Sequence, residues 1–166
     1  KKQNRLIQNR EDRTVQLFKL AQAIAEAKDL ASIVALGVET LGNTFDAEVA
    51  YVFFQENGSP NSHSGGSFFP DEKEMAVAQW VRLNGASAGR FTDTLPSASG
   101  TYFPIQTKQR VIGAIGIRFL KEATFDYDQR NLAYAIIAQL NAGIEREQLH
   151  ESQRRLEVLE QADKLY

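Results

Sequence analysis

The sequence contains no cysteine. Disulfides, thiolate metal sites, thiol nucleophiles and cofactors attached through a thioether are therefore all excluded. Long apolar runs are missing too: the longest nearly unbroken stretch, Val49 to Phe54, is far short of the roughly 18 residues that a membrane-crossing helix needs. Neither sign of charge dominates, with 19 Lys and Arg against 21 Asp and Glu. The net charge is −2, and no face rich in Lys and Arg interleaved with aromatics stands out, which argues against nucleic acid as a partner. His63 lies in a Gly/Ser-rich segment with no second histidine nearby, so it reads as a surface side chain rather than a metal or haem ligand. No Ser/His/Asp set, paired carboxylates or phosphate-binding loop is visible, and catalytic residues, metal and cofactor are all expected to be none.

What remains is an ordinary globular composition, 43% hydrophobic and 24% charged over 166 residues, enough for one proper core and too little for two. The chain begins at Lys1 and stops within a helical pattern at Tyr166, as expected of a segment cut from a longer protein. Leu17, Leu20, Ala21 and Ile24 share a face and predict a first helix over 15–27 that extends back toward Leu6. Lys1, Lys2, Arg5, Arg10 and Arg13 outnumber Glu11 and Asp12 by three charges at its start. That surplus suits either the cytoplasmic side of a membrane or a solvated helix face.

Asp29 is placed to cap a second helix with the stripe Leu30, Ile33, Val34, Val38 and Leu41, and Gly42-Asn43 is its stop. Val49 to Phe54 is apolar on both faces, as in a strand covered on both sides. Asn57-Gly58 suits a hairpin turn, while 59–67 fits a loop or a poor strand. A helix opens at Pro70, with Asp71, Glu72 and Glu74 near its positive end, and Ala76, Val77, Trp80 and Leu83 are expected to form its packing stripe. Trp80 is then a core residue. Residues 86–100 show no periodicity, and loops of that length tend to be binding loops or lids. Residues 101–107 and 110–120 read as strands of one hairpin, with Pro104 at an edge or a bulge.

Asp126 and Gln129 form a capping-box-like start for a last helix over 127–166, about 60 Å long at 1.5 Å per residue. Its second half places Leu149, Ser152, Leu156, Leu159 and Tyr166 on one heptad seam, expected to pair with a second copy as a homodimer or else to protrude alone. The fold class is α+β with a central antiparallel sheet, flanking helices and long helices at both ends. The chain divides into a signalling helix over 1–28, a domain over 29–145 and a coiled-coil exit helix over 146–166.

The run from Trp80 to Gly85, then Ala88-Gly89-Arg90-Phe91-Thr92-Asp93-Thr94-Leu95-Pro96, then Gly100-Thr101-Tyr102-Phe103-Pro104-Ile105 resembles the GAF domain of KdpD-type sensor histidine kinases. There a Trp-bearing helix leads through a TDTLP loop into a strand. Val111 to Ile117 is similar to a strand found across GAF domains, and the likeness covers roughly 30–145. Arg90-Phe91 departs from a smaller pair usual in that motif, which would narrow or refill the mouth of a pocket. The resemblance implies a non-catalytic cytoplasmic domain of an inner-membrane, dimeric kinase that regulates potassium transport. Its neighbours in the parent chain would be transmembrane segments and a kinase core, with Ala162 to Tyr166 leading toward a phosphoacceptor histidine that this sequence lacks. The candidate ligand-binding or regulatory loop is Arg90, Thr92, Asp93 and Thr94 with Tyr102. Its side chains either contact a small molecule or simply tie down the loop, and Tyr102 points either into the pocket or across the sheet. The competing expectation is a small-molecule receptor GAF domain of another signalling protein.

Overall fold

A computed structural model describes residues 2–121 and 124–165, with side chains from 11 to 164 outside that gap. Four helices and five strands follow in the order α1 (Lys2–Glu26), α2 (Leu30–Phe45), β1 (Ala47–Phe53), β2 (Gly65–Gly66), α3 (Glu72–Asn84), β3 (Ala88–Gly89), β4 (Thr101–Gln106), β5 (Val111–Phe119) and α4 (Tyr127–Leu165). The sheet runs β2-β1-β5-β4-β3 and every pairing is antiparallel. This is an α+β architecture of the expected class.

Alternation along the strands divides the core into two layers. Val49, Phe53, Phe103, Ile105, Ile115 and Ile117 join the stripes of α1, α2 and α4 on one face. Val52, Tyr102 and Ala114 meet Val77, Ala78 and Val81 of α3 on the other. Leu20 and Ile24 are the buried positions of α1, and Ile33, Val34 and Leu41 those of α2. The first half of α4 is buried through Ile144, while every described side chain from Gln148 onward is exposed.

Local chemistry accounts for most boundaries. Asp29 accepts from the Ser32 N–H at 2.8 Å at the start of α2, and Asp71 does the same for Glu74 at 2.9 Å in α3. Gly85, with φ of 64°, closes α3 in the left-handed conformation that glycine adopts freely. Asp126 and Gln129 bond reciprocally at 2.8 and 3.0 Å to start α4, completing the capping box.

Two expectations need correction. The buried stripe of α3 is Glu74, Val77, Ala78 and Val81; Trp80 is only half-buried and Leu83 is 71% exposed. This face is turned inward because Glu74 meets the donors of Ser99, Gly100 and Tyr102 there, with Val77, Ala78 and Val81 packed against Val52, Tyr102 and Ala114. The Asn57-Gly58 turn forms as expected, with Gly58 N–H donating to Gln55 C=O at 2.8 Å and Phe54 bridging Pro60; 59–67 contributes only the poor strand β2, paired at Ala50 and Tyr51, while β1 takes β5 as its long partner. The 86–100 segment is not all loop, since Ala88 and Gly89 pair with Tyr102 and Thr101. Past that short contact β4 is an outer strand, with a register irregularity at Ile105/Gln106, and Pro104, in register with Ala114 of β5, sits where the other side of β4 has no strand partner.

The Asp29 carboxyl is held below its usual value, first by the Ser32 side chain and then by the Ser32 backbone N–H. A depressed carboxyl contributes stability above the unfolded-state value, and that contribution disappears as pH falls through the folded one. Asp29→Ala is therefore expected to lower Tm at neutral pH, with the gap to the parent closing in acid. A gap independent of pH between neutrality and acid would show that the cap acts without its charge.

Candidate functional site

The loop between β3 and β4 is held from inside. Gly89 N–H donates to Thr94 C=O at 2.8 Å, and Arg90 N–H donates to Gly100 C=O at 2.9 Å. The Thr92 hydroxyl lies 2.8 Å from both Gly89 C=O and Thr94 C=O, and its oxygen accepts from Thr94 N–H at 3.2 Å. The Thr101 hydroxyl donates to Arg90 C=O at 2.7 Å, closing the base. Hydroxyl-to-backbone bonds of this kind compete with regular structure and stabilise compact loops.

Beneath the loop lies Glu74, 5% exposed. One carboxylate oxygen accepts from Gly100 N–H at 2.8 Å, the Ser99 hydroxyl at 2.9 Å and the Tyr102 hydroxyl at 3.1 Å. The other accepts from Ser99 N–H at 3.2 Å. Lys73 adds a bond to Ser97 C=O at 3.2 Å, so the second half of the loop is anchored to the first turn of α3. Burial pushes the Tyr102 phenol far above its ordinary value, and the charge and hydrogen bond of Glu74 push it further. The phenol thus remains a neutral donor throughout the physiological range.

The first half of the loop is anchored to α4. Phe91 has φ of 66°, a costly conformation for a bulky residue. Its ring packs at 5.7 Å from Phe119 and 6.1 Å from Phe125, and the Arg90 guanidinium covers it at 4.9 Å. Arg130, in the first turn of α4, donates to Phe91 C=O at 2.8 Å.

The structure thus brings Arg90, Thr92 and Thr94 together within one bonded loop. Tyr102 lies below them across the opposite face of the sheet, its ring occupying the room left by Gly116, where a Cβ would collide with it. Asp93 is exposed and has no hydrogen bond or ion pair among the described residues. Of the seam residues, Leu149, Leu156 and Leu159 are 58–62% exposed and Ser152 is exposed beside them; Tyr166 lies outside the described residues. His63 is exposed, and no group of three or more His, Asp or Glu placed to hold a metal occurs among the described residues.

Glu74 and Arg130 were not among the sequence candidates. Glu74 had one legible signal, an acid sharing the i, i+3, i+4, i+7 spacing of Val77, Ala78 and Val81. For Arg130, 39 residues from its partner, there was none.

No family model matches the chain. It is 30% identical over 115 residues, 68% of its length, to the sensor protein KdpD of Escherichia coli strain K12. It is 23% identical over 162 residues, 90% of its length, to the sensor protein KdpD of Clostridium acetobutylicum. The chain spans only 12% and 17% of these two relatives. Among solved structures, the native GAF domain of the potassium sensor histidine kinase KdpD from Escherichia coli superposes with a TM-score of 0.72 at 20% identity, covering 84% of this chain and 98% of that one.

The Glu74 cluster generates a stability prediction. Glu74→Ala should cost about 3 kcal/mol, because buried donors lose a charged acceptor, and Tyr102→Phe about 1 kcal/mol for one bond. Urea unfolding measures both, and a Glu74→Ala cost no larger than that of Tyr102→Phe would contradict the shared-acceptor role.

Proposed function

The chain is a GAF domain of the KdpD type, and from that premise we propose that it is the non-catalytic sensory and regulatory module of a membrane-bound sensor histidine kinase. In this reading it is the cytoplasmic relay of a two-component system controlling potassium transport. No helix among the described residues is long and apolar enough to cross a membrane, so the transmembrane segments and the kinase core would lie elsewhere in the parent chain.

One observation carries the relay: α4 is a single helix of 39 residues that touches the loop through Arg130 and ends in exposed leucines. At 3.6 residues per turn, Leu149, Ser152, Leu156 and Leu159 lie on one side. Glu147, Glu151 and Arg154, on the opposite side, face back to the body across a cleft. The apolar seam therefore points away from the domain, which suits a parallel pairing of two copies with the domains outside. Ser152 on that seam weakens the pairing and leaves it open to switching. A change in the loop alters the hold on Phe91 C=O and with it the seating of α4. Shifting a two-state arrangement substantially takes a few kcal/mol of differential binding.

The seam is testable by sedimentation velocity. The 166-residue chain should show a concentration-dependent dimer, and Leu156→Glu should weaken it at least about tenfold by placing charge in the seam. A parent chain that stays monomeric at high concentration would refute the pairing.

The relay is tested in the full-length kinase by its kinase-to-phosphatase ratio. Arg130→Gln should shift that ratio with the domain still folded. Asp93→Ala, which removes no observed contact, should leave stability within about 0.5 kcal/mol yet alter the response if the loop meets a ligand or partner. Normal output from a well-folded Arg130→Gln protein would count against coupling through α4.

A further inference from the structure

Away from the loop, a cleft of 460 Å³ opens between the α1–α2 elbow, β1 and the departing half of α4. That volume lies within the range of small-molecule sites. Its apolar side is formed by Leu30 and Val34 of α2 and by Tyr51 and Phe53 of β1, whose rings meet edge to face at 6.1 Å. Lys28, Asp29 and His63 border it from the body, and Glu147, Glu151 and Arg154 from α4.

The acids here are already engaged. Asp29 caps α2, Glu147 lies 3.8 Å from Arg154, and Glu151 lies 3.8 Å from Arg155. By contrast, the Lys28 ammonium, the His63 ring and the Tyr51 hydroxyl have no hydrogen bond or ion pair among the described residues. The groups left free are therefore donors beside an apolar surface.

We propose that this cleft binds a small organic acid, with an aromatic or aliphatic body laid against Tyr51, Phe53, Leu30 and Val34 and a carboxylate or phosphate group met by Lys28, His63 and the Tyr51 hydroxyl. Charge-assisted bonds to these donors orient the ligand while the apolar body supplies the buried area. One wall belongs to the domain and the other to α4, so an occupant bears directly on the angle at which that helix leaves. The site is read from the cleft alone and does not depend on the relay through Arg130.

The ¹H–¹⁵N NMR spectrum of the chain is titrated with phenylacetate and phenyl phosphate, with benzylamine as a cation of similar shape and inorganic phosphate as the bare anion. The two aromatic acids should move the amides of 28–34, 51–53 and 147–154 with Kd on the order of 1 mM or tighter. Inorganic phosphate, lacking an apolar body, should bind more weakly. Lys28→Glu should weaken the acids by about tenfold or more, the loss of one charge-assisted bond, and His63→Gln should act in the same direction. Both residues are exposed, so the variants should keep the parental spectrum elsewhere. Equal binding of benzylamine, unchanged affinity in Lys28→Glu, or no shifts in these segments would each overturn the assignment. Shifts confined to 89–100 would also overturn it, while leaving the sensory reading of the domain intact.

Discussion

A carboxylate taken out of water must be given donors, because an uncompensated buried charge costs several kcal/mol. Glu74 sets this requirement on the α3 side of the sheet. Its position follows from the Asp71 cap, which starts α3, and from the small buried residues Ala78 and Val81 that seat the helix. The donors must then come to it. Ser99 and Gly100 do so by bending the loop end toward α3, and Tyr102 does so by laying its ring over Gly116. The path of the loop into β4, and the closure of the space beneath it, therefore follow from one ionic centre.

The other end of the loop is governed by packing. Phe91 turns its ring toward Phe119 and Phe125, on the side of the sheet away from Tyr102. The two rings thus close the region from both faces. Arg130 links this packing to the start of α4, and Arg146 secures the same helix further along by donating to Ile24 C=O of α1 at 2.8 Å. Between these two arginines α4 is held, and after Glu147 it is free of the body. A continuous helix, each turn bonded to the next, joins the Arg130 contact to the exposed leucines further along.

Local chemistry made much of this legible. Asp29, Gly85 and the Asp126/Gln129 pair mark helix ends through side-chain or backbone requirements that operate within four residues. The strands β1 and β5 and the length of α4 followed from apolar patterning. The facing of α3 did not. Ala76, Val77, Trp80 and Leu83 form a more hydrophobic stripe than Glu74, Val77, Ala78 and Val81, and only the donors that Glu74 meets and the packing of its neighbours on the sheet favour the second. Two-residue strands such as β2 and β3 carry no period at all, and their pairing is decided by what lies opposite. Of the candidate loop, the Thr92 hydroxyl contacts to backbone groups of Gly89 and Thr94 were foreseeable from hydroxyl chemistry. The contacts from Glu74 to Tyr102 and from Arg130 to Phe91 span 28 and 39 residues, and no local rule joins them.

The conformation of Phe91 sets backbone strain against side-chain packing at the start of the loop. A bulky residue at φ of 66° stores on the order of 1–3 kcal/mol of strain. Ring packing and the Arg130 bond hold it there. The margin between the locked loop and a released one is therefore smaller than its contacts alone suggest, since release returns the strain. The energy that separates a locked from a released loop is then the small remainder of opposing terms. In the proposed pairing at the far end of α4, Ser152 among Leu149, Leu156 and Leu159 reduces the apolar area available to the seam.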